Sequence, residues 1–533
     1  MKAQRKMLLY HFGVMLALFF SAYYYLLRGN GPFLWPYNVD HYLGKPAAPF
    51  VRICNIYYDS KEGGSTRTVS EAVAELLEED GVVTGVLGFG GYKYAEAVEI
   101  SGNIVESLDE MLDITREFSV VIRYVREPAF KGDLEVVVSG GRSMVINVTK
   151  AGLKSDNVPD KIYDLINGVF FKYGGMPSTS LTPILDISFV LISDKQKVKW
   201  NVKNDIIAPF FHKIANAMSL FYDINLHSRV ISGANLTHTM KLKPTSYGDH
   251  SIVDLQEQEA TMFDLLERVS SVEIGTKDSS IYRHSLAFMC HVPEKELRFY
   301  DRALERETDS FMIKGLGILS LMGPSDDHDA EHHLSSGDIA SLMSSWVTHI
   351  RKMHNLPATL TDTIMEALKA EDEVTVLEDG HYLVKSPNVE FTIRLTTPGL
   401  VAFYGFELSK IAESLYSLYL KGSLDNMHKV VKPLSSLSFM SRVSERAVGN
   451  IRMSYNAISC LYGKGCGGRF LSNMKLLSLA RTSFKQSLEA MGDDETYARN
   501  VVSVEHGLAL FMCDVFPFLL PLVSNGIRHF LNK

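Results

Sequence analysis

The stretch Ser325 to His333, SDDHDAEHH, carries the densest set of side chains able to hold an ion. Asp327-His328-Asp329 has the D-x-D form with which glycosyltransferases hold a divalent cation and a sugar nucleotide, and it follows the apolar run ILSLM. His328, His332 and His333 are imidazoles of the kind that ligate zinc. Against a metal site, ligands on a helix recur every three or four residues, and an acidic run of this sort also suits a solvated loop. Gly85, Gly88, Gly90 and Gly91 suggest a phosphate cradle, but no Gly-Lys-Ser/Thr continuation and no full G-x-G-x-x-G follows, so a loop or hairpin is expected there.

Nucleophilic catalysis needs a thiol or hydroxyl within reach of a base. The chain has no G-x-S-x-G elbow, and none of its five cysteines sits in a recognisable protease context. The expectation is a chain with no catalytic residues, no cofactor and no resident metal. Cys460 and Cys466, in CLYGKGC, are spaced to close a small loop in an oxidising compartment, and Cys54 with Cys290 is the other available pair. Buried free thiols are the alternative for each.

Whatever positions these groups is framed by two apolar ends. Residues 7–27, MLLYHFGVMLALFFSAYYYLL, contain no Asp, Glu, Lys or Arg. At about 1.5 Å per helical residue the segment is long enough to cross a hydrocarbon core of roughly 30 Å. Its end, Ser21-Ala22-Tyr23, is a poor small-x-small cleavage site, which favours a retained anchor over a signal peptide. Residues 505–526 form the second candidate span, with Asp514 inside the apolar run and Pro517 and Pro521 expected to kink it. Asp514, Pro517 and Pro521 are the expected membrane-helix contacts. Lys2, Arg5 and Lys6 precede the first span and Arg28 alone follows it, so residues 1–6 and the tail 527–533 are expected in the cytosol and the bulk of the chain in a lumen. Two sequons, Asn147-Val148-Thr149 and Asn235-Leu236-Thr237, would be glycosylation acceptors there.

Between the spans, residues 28–50 read as a stalk. From 51 to 400, strand-like runs alternate with amphipathic stretches. VRICNIYYD and ILDISFVLIS are strands, LEVVVSGGRSMVINV is a hairpin, and TVSEAVAELLEED is a helix capped by Thr68 or Ser70. Residues 401–500 show only helical spacing. The fold expected is a mixed α/β (α+β) lumenal domain followed by a helical region, flanked by two transmembrane helices. A net charge of −8 gives no basic footprint, which excludes a nucleic-acid partner.

Several stretches, in order, resemble the PIG-S family, the two-span subunit of the glycosylphosphatidylinositol (GPI) transamidase. The first runs from ILDISFVLIS to SGANL, with Trp200, Pro209 and Phe210 matching the family's Trp and Pro-Phe helix. The second is FMIKGLGILSLM, similar to a glycine-containing strand, followed by DIASLMSSWVTHIRKMHNLPA, a helix ending in a Pro turn. The third opens on an aromatic-Glu-Leu step at Phe406, Glu407 and Leu408, and the last is the exit helix PFLLPLVSNGIRHFL. The likeness runs from about Pro183 to the C-terminus. It departs from the family at Asn225-Leu226-His227, which cannot be glycosylated where the family carries a sequon.

The resemblance implies a non-catalytic subunit in the endoplasmic reticulum membrane. It would position or stabilise the complex that joins GPI to protein C-termini. Its implied partners are the other subunits, among them a caspase-like cysteine protease that holds the catalytic thiol. Two alternatives remain from the residues alone: a membrane-anchored ER/Golgi glycosyltransferase using Asp327 and Asp329, and a scaffold ectodomain unrelated to GPI.

Overall fold

The computed structural model describes residues 37–493 apart from 90–116, 173–181, 245–250, 258–263, 265–282, 324–331, 396–402, 437–442 and 465–470, with breaks of one to four residues elsewhere. Both predicted spans, and with them Asp514, Pro517 and Pro521, lie outside the described residues. Among those described, no helix is long and apolar enough to cross a membrane. The chain divides into two compact units, one of residues 49–418 with 470–478 and one of 1–48, 419–469 and 479–533. The last strand ends at Leu395 and the long helix that follows begins at Gly405.

The larger unit holds two main sheets. Strands β1 (Ile53–Asp59), β2 (Val83–Phe89), β3 (Glu117–Tyr124), β4 (Leu134–Val138) and β5 (Ser143–Val148) begin the first. The chain then leaves to build the second from β6 (Ile184–Ser193), β7 (Asp223–Ser232), β8 (Arg283–Val292), β9 (Ser310–Ile313) and β10 (Gly317–Leu321). It returns with β11 (Glu373–Glu378), β12 (His381–Lys385) and β13 (Glu390–Leu395), completing an eight-stranded sheet in the order β11-β12-β13-β4-β5-β3-β1-β2. The predicted hairpin is present as the antiparallel pair β4–β5, while β1 runs parallel to both β2 and β3.

One face of this sheet is apolar because Cys54, Ile56, Val120, Ile122, Val136, Ile146 and Ile393 alternate onto it. It packs against helices α1 (Gly64–Glu79) and α2 (Val158–Ile166) and the π-helical turn Asn167–Phe171 that continues α2. Helix α1 starts earlier than Thr68 or Ser70 would have it. Thr66 hydroxyl donates to the Asp59 carbonyl, and Ser70 bonds back to Thr66 from the helix interior. On the other face, Val121, Val137 and Val145 are flanked by a polar ladder in which Arg123 donates to Asn147 and Asn147 donates to Glu135 at 2.6 Å.

The second sheet has the order β9-β10-β8-β6-β7, with β10, β8, β6 and β7 mutually parallel. β6 is buried along almost its whole length because it is central and covered on both faces. Helix α3 (His212–Ser219), the π-helical segment Lys203–Phe211 before it and helix α4 (Ser336–Met353) cover one side. There Phe288 stacks on Trp346 at 5.0 Å and Phe189 meets Phe211 edge-on at 5.1 Å. The residue that anchors the Pro209 segment is therefore Phe211, fully buried, while Phe210 is 41% exposed.

Gly317 opens β10 with φ +146°, and a Cβ there would lie 1.9 Å from the Ala287 carbonyl oxygen of β8. Only glycine allows that approach. Gly317→Ala is expected to cost about 2 kcal/mol in denaturant unfolding monitored by tryptophan fluorescence, given the price of a strained backbone at a packed position. An unchanged midpoint would show that β10 can shift away from β8.

In the smaller unit, helices α7 (Glu445–Leu461) and α8 (Asn473–Met491) and the later turns of α6 (Gly405–Ser436) enclose Val39 and Tyr42. The lead before residue 50 is thus no free stalk from Tyr37 onward. Tyr37 contacts Tyr455, Asp40 pairs with His428 at 2.6 Å, and the Ala48 amide bonds to the Leu461 carbonyl. Apolar side chains in a sequence too short to form its own core had to find one elsewhere.

Candidate functional site

In an open parallel sheet, ligands bind beyond the carboxyl ends of the strands, where the strand order reverses. In the second sheet that point lies between β6 and β8, because β6 is followed by β7 on one side and by β8 and β10 on the other. Asp194, just past β6, and His291, near the end of β8, meet there. Asp194 Oδ1 and His291 Nε2 are 3.1 Å apart, with side chains 2% and 0% exposed. Sequence reading missed both. The available signal was an acid directly following one buried strand and an imidazole at the penultimate position of the adjacent one.

This pair resembles the base and orienting acid of a hydrolase, but its surroundings assign it another task. Asp194 Oδ1 also accepts the Leu236 amide at 2.8 Å, and the Gly233 and Ala234 amides donate to the Ser193 carbonyl. The chain after β7 is therefore fastened over the strand ends, in the position a ligand would take. Cys290 is adjacent to His291 in sequence but alternates to the opposite face of the sheet, so its thiol and the imidazole point apart. Burial, and then the nearby Asp338 charge, push the Cys290 thiol far above its usual range, while burial alone raises Cys54 to about 12. Thiols held protonated in this way are inert.

A small cleft of about 140 Å³ opens beyond β10, lined by Arg298, Asp309, Ser320, Met322, Gly323 and Asp338 among others. The segment with Asp327, His328 and Asp329 begins one residue after this cleft and lies outside the described residues. His332-His333 pairs as a short parallel strand with Val198–Lys199. Among the described residues, no group of three or more His, Cys, Asp or Glu is placed to hold a metal ion.

A second buried cluster centres on Arg351, in the last turn of α4. Its guanidinium forks onto Glu407, with Nη1 to Oε2 at 2.8 Å and Nη2 to Oε1 at 2.6 Å, and Nε donates to the Pro357 carbonyl at 2.7 Å. Glu407 also accepts the Tyr404 amide at 2.9 Å, and the Tyr404 hydroxyl accepts the Leu360 amide at 3.0 Å. Asn355, at φ +56°, supplies the left-handed residue that ends α4 before Pro357. The Pro turn and the aromatic-Glu-Leu step, distant in sequence, are thus two sides of one joint. Its partner helix α5 (Leu360–Ala367) starts there on a Thr359–Asp362 capping box. A few residues on, Lys410 reaches the Gly168 carbonyl of the π-helical turn at 3.3 Å and lies over the Phe406 ring. Burial depresses this ammonium to about 8, against the opposing pull of Glu407 and Glu366.

Asn147 is no glycan acceptor in this fold. It is 3% exposed in the middle of the eight-stranded sheet and bonded on both sides. Asn235 lies outside the described residues. Cys54 and Cys290 do not pair; both are free and buried, on different sheets. Cys460 is disulfide-bonded, and the two cysteines left to pair with it, Cys466 and Cys513, lie outside the described residues. Set against protein-family models and curated proteins, the chain matches none.

Proposed function

We propose that this chain is an accessory, non-catalytic subunit of a GPI transamidase, held in the endoplasmic reticulum membrane by helices at 7–27 and 505–526 with its bulk in the lumen. The observation that carries the reading is the Arg351–Glu407 joint. Two of the segments that resemble the PIG-S family, the helix with its Pro turn and the aromatic-Glu-Leu step, converge on it, so their order in the sequence serves one piece of architecture. The filled switch point supports the accessory role, because the chain itself occupies the place where this kind of sheet would present a substrate. The catalytic thiol then belongs to a partner, and this chain's contribution is positional, through lumenal faces and membrane helices.

The test is a pull-down of the tagged full-length protein from its own cells in mild detergent, with mass spectrometry of what accompanies it. A caspase-like cysteine protease and multi-span membrane proteins should be recovered. Intact protein recovered alone in good yield overturns the proposal. One observation favours a second reading: a small cleft opens at the carboxyl end of β10, lined by Met322 and Gly323, a few residues before Asp327 and Asp329 in the sequence. On the glycosyltransferase reading, Asp327→Ala with Asp329→Ala abolishes sugar-nucleotide binding; on ours it leaves the co-purifying set unchanged.

A further inference from the structure

The cleft beyond β10 encloses about 140 Å³, close to the space that accepts a six-carbon ring in a protein interior. Its walls come from the first turns of α4, with Asp338 and Ser341, from Glu296, Arg298 and Asp309, and from Ser320 of β10. Ser320 is 3% exposed, and its hydroxyl has no hydrogen-bond partner. Leu319 and Leu321 belong to the apolar cluster on the far face of the sheet, so alternation along β10 turns Ser320 toward α4, the helix that forms the opposite wall. A buried hydroxyl without a partner is uncommon in a folded protein, and one that lines a cleft is suited to a donor arriving from outside.

The charge of the lining selects the donor. Arg298 is engaged within the wall, donating to Asp309 and, at 3.5 Å, to Glu296. Three carboxylates and one guanidinium leave the lining with a net charge of −2, which favours a cation. Among the described residues these acids are not grouped as metal ligands. An ammonium asks for less than a metal ion does. It has three N–H bonds to give, which one carboxylate and two hydroxyls can accept, and its carbon stem can lie along apolar surface of the kind Met322 and Leu342 add to the cleft. We propose that this cleft binds a primary ammonium on a short aliphatic stem. Asp338 makes the charged contact, and Ser320 and Ser341 accept the remaining N–H bonds. The inference rests on the cleft and is independent of the transamidase reading.

The test uses the full-length protein in detergent at low salt, with n-butylammonium and Nα-acetyl-lysine methylamide as probes and broadening of their methylene proton resonances as the readout. For a ligand as small as n-butylammonium, saturable binding with a Kd of about 1–10 mM is expected. n-Butanol, which has the same shape and no charge, should show no saturation. Asp338→Asn should weaken binding about tenfold, the loss of one charge-assisted hydrogen bond, and Ser320→Ala should weaken it several-fold. Glu71→Gln, on the exposed side of α1, should leave it unchanged. Because Ser320→Ala removes only an unpartnered hydroxyl, its urea midpoint should hold, and its effect on binding then reads the site rather than the fold. Tighter binding of the lysine derivative assigns the ammonium to a side chain of another protein, and tighter binding of n-butylammonium to a free amine; both support the inference. Absence of saturation by either probe at tens of millimolar overturns it, as does equal broadening of n-butanol or an affinity unchanged in both Asp338→Asn and Ser320→Ala. Displacement of the probes by micromolar Ca2+ would make this a divalent-cation site and overturn it as well.

Discussion

Arg351→Met is expected to lower the unfolding free energy by about 3–5 kcal/mol, and Glu407→Leu by a comparable amount, because each leaves its partner buried without a counter-charge. The two side chains are 0% and 1% exposed, so neither can turn to water for relief. The pair also satisfies the Pro357 carbonyl and the Tyr404 amide, which a neutral replacement at 351 or 407 serves less well. The double variant Arg351→Met with Glu407→Leu should therefore recover part of the loss, with a coupling energy of about 2 kcal/mol or more. Urea unfolding of the full-length protein in detergent, followed through tryptophan emission, measures this. Trp346 lies buried on the same helix as Arg351 and reports the state of that packing. Strict additivity of the two single changes would mean that the fork contributes nothing beyond its separate contacts.

Lys410→Met is the opposite case, a substitution expected to stabilise. Burial holds the Lys410 ammonium near 8, against an ordinary value of 10.5. Below pH 8 the group is protonated in both states and the folded state bears the full cost of burying the charge. Between pH 8 and 10.5 the unfolded chain still binds the proton and the folded chain does not, so stability rises with pH in that window. From pH 7 to pH 10 the wild type should gain about 2–3 kcal/mol relative to Lys410→Met. The comparison with the variant matters, since Cys54, Cys290 and Tyr404 are all shifted upward and weaken the fold in the alkaline range. Unfolding curves of both proteins at pH 7, 8, 9 and 10 would show the difference shrink. A constant difference would place Lys410 in contact with water.

The parts of this fold that repeat a period were legible in the sequence. ILDISFVLIS is a strand over its whole length, LEVVV and SMVINV pair antiparallel as expected, and the three C-terminal helices follow their three-to-four spacing. What escaped was set by partners far along the chain. Nothing near Asn147 foretells that Glu135 and Arg123 will enclose it, so a sequon that is acceptable locally becomes a buried cross-strand contact. The same holds for Asp194 and His291, 97 residues apart, and for the choice of Phe211 over Phe210 as anchor, which depends on where a π-helical segment places successive side chains. The stalk was misread for a related reason. Its short apolar positions are the outer layer of a helical core whose helices begin almost 400 residues later.

The return of the chain to its first sheet has a consequence for biosynthesis. Between β4 and β13 the polypeptide makes the whole second sheet, and the Thr392 hydroxyl that bonds to Lys131 comes 261 residues after it. At about 5–20 residues per second, the apolar edge of β4 is exposed for roughly 10–50 seconds before its neighbour is synthesised. The inserted sheet can form within that interval, but the first cannot close. The most exposed stage of such a nascent chain is set by the ribosome's position rather than by the stability of the finished protein.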